Sequence, residues 1–281
     1  MREGFEPGVH GARDERAEVP LGPPIPEWAT EGALDRHVLR EFEALGERRS
    51  TEVARRLVAA YVAADEGDVD TALGHVAVVR VAGARLAAAR EAAGIIAYRV
   101  GRYDLASKDL KAARRISGRI ETLPVLADCE RGLGRPERAL ELAASPEAGR
   151  LDLEGRVEML LVAAGARRDL GQADAAVLTL QVPELKAQHK QEWHFRLVAA
   201  YADALLAAGR DDEAAQWRLR ANRHPAAPAG LDLGEDTGEE LLDIGDFVDL
   251  DPEEELDDRV DGGRGRDEDT AGEPQDGTTE R

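Results

Sequence analysis

The residues whose side chains could do chemistry are few and scattered along the chain. The single cysteine, Cys129, stands between Asp128 and Glu130. Neighbouring carboxylates raise the pKa of a thiol, which favours a buried or inert cysteine over a nucleophile. His189 and His194 are five residues apart, so they do not share one helical face, and we interpret both as ordinary polar residues. The pattern predicts no catalytic residue and no metal ligand.

Motifs of the common enzyme classes are also missing from the sequence. It has no phosphate-binding loop, no Gly-x-Ser-x-Gly elbow and no His-Glu-x-x-His pair. The acids between Asp246 and Glu255 do not follow the spacing of a calcium loop. We therefore predict that the protein is not an enzyme and uses no cofactor.

The composition is that of a helical protein with an alanine-rich core. The 281 residues are 43% hydrophobic, 33% charged and only 4% aromatic, so small side chains must do much of the packing. One cysteine cannot build a disulfide framework. No apolar run approaches the length of a membrane span, and the charged N-terminal residues do not resemble an export signal. These features predict a cytoplasmic location without a membrane partner.

The charge divides the chain into parts. Of the formal net charge of -20, residues 231–281 contribute 21 Asp and Glu against four Arg, so the rest of the chain is nearly neutral. Residues 1–30 hold five prolines and few apolar side chains, which predicts a disordered N-terminal arm. We predict a helical repeat domain over 31–223 and an acidic, disordered C-terminal tail over 224–281, after the prolines that stop the last helix.

Apolar residues in 31–223 recur with helical spacing, and no segment alternates for long enough to form a sheet. In the first unit Val53, Leu57, Ala60, Tyr61 and Ala64 share one face. The fold class predicted from this pattern is all-α.

A repeat runs through this domain. Glycine recurs five times at spacings of 33 to 38 residues. Each glycine is preceded by a small residue at the seventh position before it, and it is followed by an acid at the third position and an alanine at the fifth. The glycines are Gly67, Gly101, Gly134, Gly171 and Gly209. Each glycine is expected to end a first helix in a left-handed conformation, and each acid to lie in the first turn of a second helix. The small residues are expected where two antiparallel helices cross closely.

The repeat resembles the tetratricopeptide repeat family, most clearly in the unit from Glu91 to Ala113. The helix-crossing glycine of that family matches Gly94, its turn glycine Gly101, its inter-helix alanine Ala106 and its later apolar residue Leu110. The resemblance covers about Thr51 to Arg223, and the Ala, Arg and Gly bias is similar to that of repeat proteins from high-GC actinobacteria. It implies a right-handed superhelical solenoid of about five hairpins, whose first helices line a concave groove for a peptide or helix of a partner protein.

Groove residues follow from the register, because positions three and six before each turn glycine share one helical face. The candidates are Tyr61, Ile95, Tyr98, Asp128, Arg131, Arg168 and Asp203. We expect the two tyrosines and Ile95 to form an apolar patch, and the two arginines to grip carboxylates of a partner. The alternative is that the tyrosines pack between repeats and the arginines pair with Asp128 or Glu130. Lys and Asn residues that would clamp a chaperone tail are not visible at these positions, which disfavours chaperone binding.

The acidic tail contains apolar residues embedded among acids, a pattern typical of segments that fold on binding. These residues are Leu241, Leu242, Ile244, Phe247, Val248 and Leu250. One hypothesis is that this motif docks in cis on the repeats, over Arg131 and Arg168 or on the last repeat. The alternative is a solubilising tail whose apolar residues are incidental.

The function predicted from all of this is a protein–protein interaction scaffold or adaptor, gated by its tail. The alternative is a regulatory protein whose acidic tail captures, or mimics a ligand of, a basic nucleic-acid-binding partner. A sensor of peptide pheromones or a regulator of an enzyme would share the fold. Direct nucleic-acid binding is not expected, because the arginine pairs carry no aromatic residues between them and the tail repels phosphate.

Overall fold

The computed structural model describes residues 22–187 and 190–228, and every described element is helical. Twelve α-helices follow one another within this part of the chain. They are α1 (Arg36–Phe42), α2 (Glu47–Asp65), α3 (Val69–Ala82), α4 (Ala87–Arg99), α5 (Tyr103–Ser117), α6 (Leu123–Gly132), α7 (Pro136–Ala143), α8 (Leu153–Asp169), α9 (Ala173–Leu180), α10 (Pro183–Lys186), α11 (Glu192–Ala207) and α12 (Asp211–Asn222). Short 3-10 turns occupy Glu31–Ala33, Glu43–Leu45 and Ala148–Arg150.

Ten of these helices pair into five hairpins, which confirms the predicted all-α class and the helical repeat-like fold. The first helices of the hairpins are α2, α4, α6, α8 and α11, and the second helices are α3, α5, α7, α9 and α12. Each second helix packs on its own first helix and on the next first helix, and each first helix also contacts the next one. Nearest-neighbour packing of this kind is typical of repeat arrays.

The five turn glycines all end a first helix as the sequence predicts. Their φ angles lie between 70° and 78°, a left-handed conformation that glycine adopts without steric cost. In the first hairpin the Gly67 amide donates to the Ala64 carbonyl at 3.2 Å and the Asp68 amide donates to the Ala63 carbonyl at 2.8 Å. The same pair of bonds recurs in the other four turns, which are therefore all Schellman motifs.

The acid of the repeat lies at the second residue of every second helix, as in Asp70 of α3 and Asp104 of α5. There it favours the helix through the dipole. The side-chain cap that closes a second helix, however, comes from a different residue. Asp68, directly after the first turn glycine, accepts a hydrogen bond from the Thr71 amide at 3.1 Å. The equivalent residues of the other hairpins make no side-chain cap bond.

Small residues mark the helix crossings. The repeat alanines Ala72, Ala106, Ala139, Ala176 and Ala214 are at most 1% exposed. Gly94 packs so closely on α5 that a Cβ atom there would lie 2.7 Å from the Leu110 side chain and 3.2 Å from its backbone nitrogen. Only glycine therefore allows α4 and α5 this approach.

The segment before the first hairpin differs from the prediction of a disordered arm over residues 1–30. Residues 22–30 pack on α2 and α3, and Ala29 is fully buried. The Arg55 guanidinium donates to the carbonyls of Ala29 and Pro26 at 2.7 and 3.0 Å, and Arg56 donates to that of Pro23 at 3.0 Å. These bonds, together with the packing of Ile25 and Ala29 against Val58 and Ala59, hold the segment on α2. The rest of the predicted arm, residues 1–21, lies outside the described residues.

The last hairpin is covered at its outer end by residues 223–228, which contain the prolines predicted to stop α12. His194 and His224 share a hydrogen bond of 2.9 Å between Nδ1 and Nε2, and Ala226 and Ala227 pack against the same core cluster as α11. Among the described helices none has the length and apolarity that a membrane crossing requires.

Candidate functional site

One face of the first helices collects the positions that the repeat register predicts for binding. Counting back from each turn glycine, residues at three, six, ten and thirteen positions fall on the same side of a helix. We call the surface formed by these residues on α2, α4, α6, α8 and α11 the first-helix face. Its two halves differ in what lies on them.

The half formed by α2 and α4 is covered by α1, and we call it the covered half. Phe42 of α1 is fully buried, and Val38 and Leu39 pack in one cluster with Ala54 and Ala88, which stand thirteen before their turn glycines. Polar contacts extend this packing. The Ala88 amide donates to Oε1 of Glu41 at 2.9 Å, which caps the start of α4.

The far side of α1 reaches the loop before α6. The Arg119 guanidinium donates to Nε2 of His37 at 2.8 Å and to Oε2 of Glu91 at 2.5 Å. Directly after Arg119 the surface opens, because Ile120 and Glu121 line a cleft between α6 and α8.

That cleft, the open groove, has a volume of about 660 Å³. Its apolar lining consists of Ile120, Pro124, Val125, Leu151, Leu161 and Val162, with the Tyr98 ring at one end. Its charged lining consists of Glu121, Asp128, Asp152, Glu154 and Glu158 against Arg131 and Arg150. An apolar groove bordered by carboxylates can hold an amphipathic segment of another chain.

A chain of hydrogen bonds at one end of the groove joins three hairpins. The Tyr98 hydroxyl donates to Oδ2 of Asp128 at 2.6 Å, and the Arg131 guanidinium donates to Oδ1 of Asp128 at 2.6 Å. Arg131 also donates through Nε to Asp169 at 2.8 Å. Burial and the bond to Asp128 together raise the pKa of Tyr98 well above its ordinary value, so this hydroxyl stays protonated.

Arg131, a candidate for binding a partner's carboxylates, pairs here with carboxylates of its own chain. Its guanidinium already serves two carboxylates and lies against Gly165, where a Cβ atom would meet Arg131 Cζ at 2.5 Å. The alternative of pairing with Asp128 is the arrangement found. Arg168 is exposed and has no ion pair within residues 22–187 and 190–228; with Arg131, Gly165 and Asp169 it lines a smaller cleft of about 440 Å³.

The residues of the expected patch, Tyr61, Ile95 and Tyr98, are divided between two core clusters. Tyr61 packs in the core cluster of α1 to α4, with the Arg99 guanidinium 5.4 Å from its ring centroid. Ile95 and Tyr98 pack against the next cluster along the chain, and Tyr98 also lies at one end of the open groove. Asp203, the last candidate, lies on α11 at 3.9 Å from Arg218 and does not line the open groove.

Near Glu158, on the α8 side of the groove, carboxylates outnumber guanidinium groups. Glu158 forms an ion pair with Arg196, the residue at the equivalent position of the next hairpin. Burial raises the pKa of Glu158; the charge of Arg196 opposes that rise, whereas the carboxylates of Glu154 and Glu192 add to it. Of the three charged side chains that act on Glu158, two are therefore carboxylates and one is a guanidinium.

Cys129 behaves as the sequence predicts. It is fully buried on α6, and burial, with added effects of Asp128 and Glu130, raises the pKa of its thiol to about 12. Within the described part of the chain no three His, Cys, Asp or Glu side chains come together in a way that could hold a metal ion.

Sequence reasoning missed the acidic and apolar residues that line most of the groove. Glu121 and Glu158 stand thirteen before their turn glycines, and Pro124 and Leu161 stand ten before them. The repeat register could have identified these residues, because they lie two helical turns before the positions from which the groove candidates were chosen. The tail residues Leu241, Leu242, Ile244, Phe247, Val248 and Leu250 lie outside the described residues.

The described part of the chain is thus all-helical and built of repeat-like hairpins, with the open groove between the first helices α6 and α8. Comparison of the chain with protein-family models, with curated proteins and with solved structures gives no match.

Proposed function

We propose that the protein is a non-enzymatic interaction scaffold that receives a segment of a partner protein in the open groove between α6 and α8. The observation that carries this proposal is α1. It lies on the first-helix face of α2 and α4 and buries Phe42 and the residues around Ala54 and Ala88. The chain thus contains its own example of a helix seated on this face, and the next half of the same face is open.

The packing of the groove residues supports binding as the role of this surface. Val125, Leu161 and Val162 are half-buried and keep accessible apolar area inside a concave cleft. Concave, mostly apolar surfaces with a few polar groups at the border are the usual form of a binding site. The buried thiol of Cys129 supports a role without nucleophilic catalysis.

We also propose that the hairpins are of the tetratricopeptide type and continue as a right-handed superhelix in the cytoplasm. The five Schellman turns and the buried alanines support the first part of this proposal. A crystal structure of the chain would test the handedness, and a left-handed or closed arrangement of the hairpins would contradict it.

Site-specific photo-crosslinking tests the binding role. A photo-reactive amino acid replaces Val125 in the open groove, and in a matched control it replaces Leu178, which is 68% exposed on α9. In extracts of the organism that encodes the chain we expect a defined crosslinked protein from position 125 and none of that size from position 178. The same protein captured equally from both positions, or from position 178 alone, would contradict the proposal.

A further inference from the structure

The chemistry of the partner follows from the charges around the open groove. Its lining holds five carboxylates and two guanidinium groups. Arg131 is paired with Asp128 and Asp169, so it is not free to attract an anion. Glu121, Asp152 and Glu154, in contrast, make no ion pair within residues 22–187 and 190–228, and neither does Arg150. Among these unpaired groups of the lining, three are carboxylates and one is a guanidinium, so the groove presents net negative charge to an incoming segment.

We propose that the open groove takes a basic amphipathic segment of another protein, with Lys or Arg side chains over Glu121, Glu154 and Glu158 and apolar side chains over Val125 and Leu161. This inference rests on the proposed scaffold function and adds the charge of the partner to it. Carboxylates on both sides of the groove align the basic side chains of the segment. The apolar side chains of the segment are buried against the apolar residues that line the groove.

The surroundings of Glu158 on α8 add to this argument. Arg196 pairs with Glu158, and the carboxylates of Glu154 and Glu192 add negative charge near it. A Lys or Arg side chain of the partner would be a second cation near these carboxylates. The partial burial of Glu158 strengthens the attraction between its carboxylate and that cation.

The chain's own ends have the wrong charge for this groove. Residues 1–21 carry five acids and three Arg, and residues 229–281 carry 21 acids and four Arg. Both segments share the sign of the groove wall, and like charges at close approach disfavour docking. The occupant is therefore a segment of another protein, and the acidic tail adds to the long-range attraction for a basic partner.

Three synthetic peptides of about twelve residues, or about three helical turns, test the proposal. All three have leucine at every third or fourth position, and the remaining positions are lysine, glutamine or glutamate. The full chain with a photo-reactive amino acid at Val125 is the bait, and crosslink yield is measured with fluorescence anisotropy in parallel. We expect the lysine peptide to bind best and the glutamate peptide worst.

A charge variant makes the test specific to the groove. In Glu121→Gln with Glu154→Gln we expect the dissociation constant of the lysine peptide to rise about threefold to tenfold, as two exposed ion pairs are lost. Glu66→Gln with Glu137→Gln removes the same charge from exposed residues outside the groove, and here the expected change is below about twofold.

The outcomes separate this inference from the function on which it rests. Crosslinking of the glutamate peptide as strongly as the lysine peptide would overturn the predicted charge but leave a binding groove, and would make the acidic tail the candidate occupant. Equal weakening by both double variants would also overturn the inference. Failure of all three peptides to crosslink at position 125 would overturn both the inference and the proposed function.

Discussion

The two halves of the first-helix face have the same register and different residues, and the difference explains why one is covered and the other open. Thirteen positions before the turn glycine the covered half has Ala54 and Ala88, both nearly inaccessible. The equivalent residues of the open groove are Glu121 and Glu158. Alanine permits a helix to approach closely, whereas an ionised glutamate loses hydration when an apolar helix covers it.

The comparison teaches that one repeat can present two kinds of surface without any change in its fold. The hairpin turns and helix crossings are alike in both halves, since they depend on the glycine and small-residue positions. The residues of the first-helix face differ between the hairpins, as Ala54 and Ala88 differ from Glu121 and Glu158. The following predictions test whether the covered half is structural and the groove is free to bind.

Loss of the α1 anchor should have the largest effect on stability. Phe42 is fully buried, so Phe42→Ala should lower the free energy of unfolding by about 3–5 kcal/mol. Urea denaturation of the two proteins measures this difference. Leu178→Ala is the control, because this leucine is 68% exposed and its removal should change stability by less than about 0.5 kcal/mol. Similar small changes in both variants would show that α1 does not contribute to the fold.

Of two glycine-to-alanine variants, the one on α4 in the covered half should lose more stability than the one on α8. Gly94→Ala places a methyl group against Leu110, including its backbone nitrogen, and should cost about 1–3 kcal/mol. Gly165→Ala meets only the end of the Arg131 side chain, which can move, and alanine favours the helix by up to about 1 kcal/mol. Thermal unfolding compares the two, and a larger loss at Gly165 would contradict this distinction.

The junction between the halves should respond to pH through Glu130. Burial alone would raise its pKa, but bonds from Lys111 and Ser107 and the charge of Arg135 outweigh burial and hold the pKa below the ordinary value of 4.5. A carboxylate with a depressed pKa in the folded state stabilises the protein above its unfolded pKa, and this contribution is lost as the pH falls through the folded pKa. Glu130→Gln should therefore cost about 1–3 kcal/mol at neutral pH.

Denaturation at several pH values measures this effect. We expect the difference between Glu130→Gln and the unmodified chain to be constant from neutral pH down to about 4.5 and to shrink below it. For Leu178→Ala, which removes no titratable group, the difference should not depend on pH. A difference at Glu130 that persists unchanged in acid would rule out the ionised pair as its source.

The smallest effect is expected at the hydroxyl of Tyr98, which also bridges the halves. Tyr98→Phe removes its bond to Asp128 and should cost about 1 kcal/mol. Tyr61→Phe is the matched control, because the Tyr61 hydroxyl makes no hydrogen bond within the described part of the chain. Chemical denaturation should show less than half the loss for the control. Equal losses would indicate that the bridge to Asp128 adds no stability.

Much of the local structure could be predicted from the sequence alone. Gly67 and its four equivalents end first helices with positive φ, and the alanines after them are buried at the crossings, as the register predicts. These features depend on residues close together in the chain, where the conformational freedom of glycine and the size of alanine decide the outcome. The segment over residues 22–30 was missed because long-range bonds from Arg55 and Arg56 hold it, despite its proline content.

The register by itself determined which residues share the first-helix face, but only the tertiary structure decided how each is used. Arg131 has the register position of a partner-binding residue, but its guanidinium donates to Asp169, which lies 38 residues further along the chain. Ala88 is covered because Glu41 and Phe42 of a helix 47 residues earlier reach it. Periodicity reports the direction of a side chain along its own helix, whereas burial and ion pairing depend on which distant segments the fold brings against it.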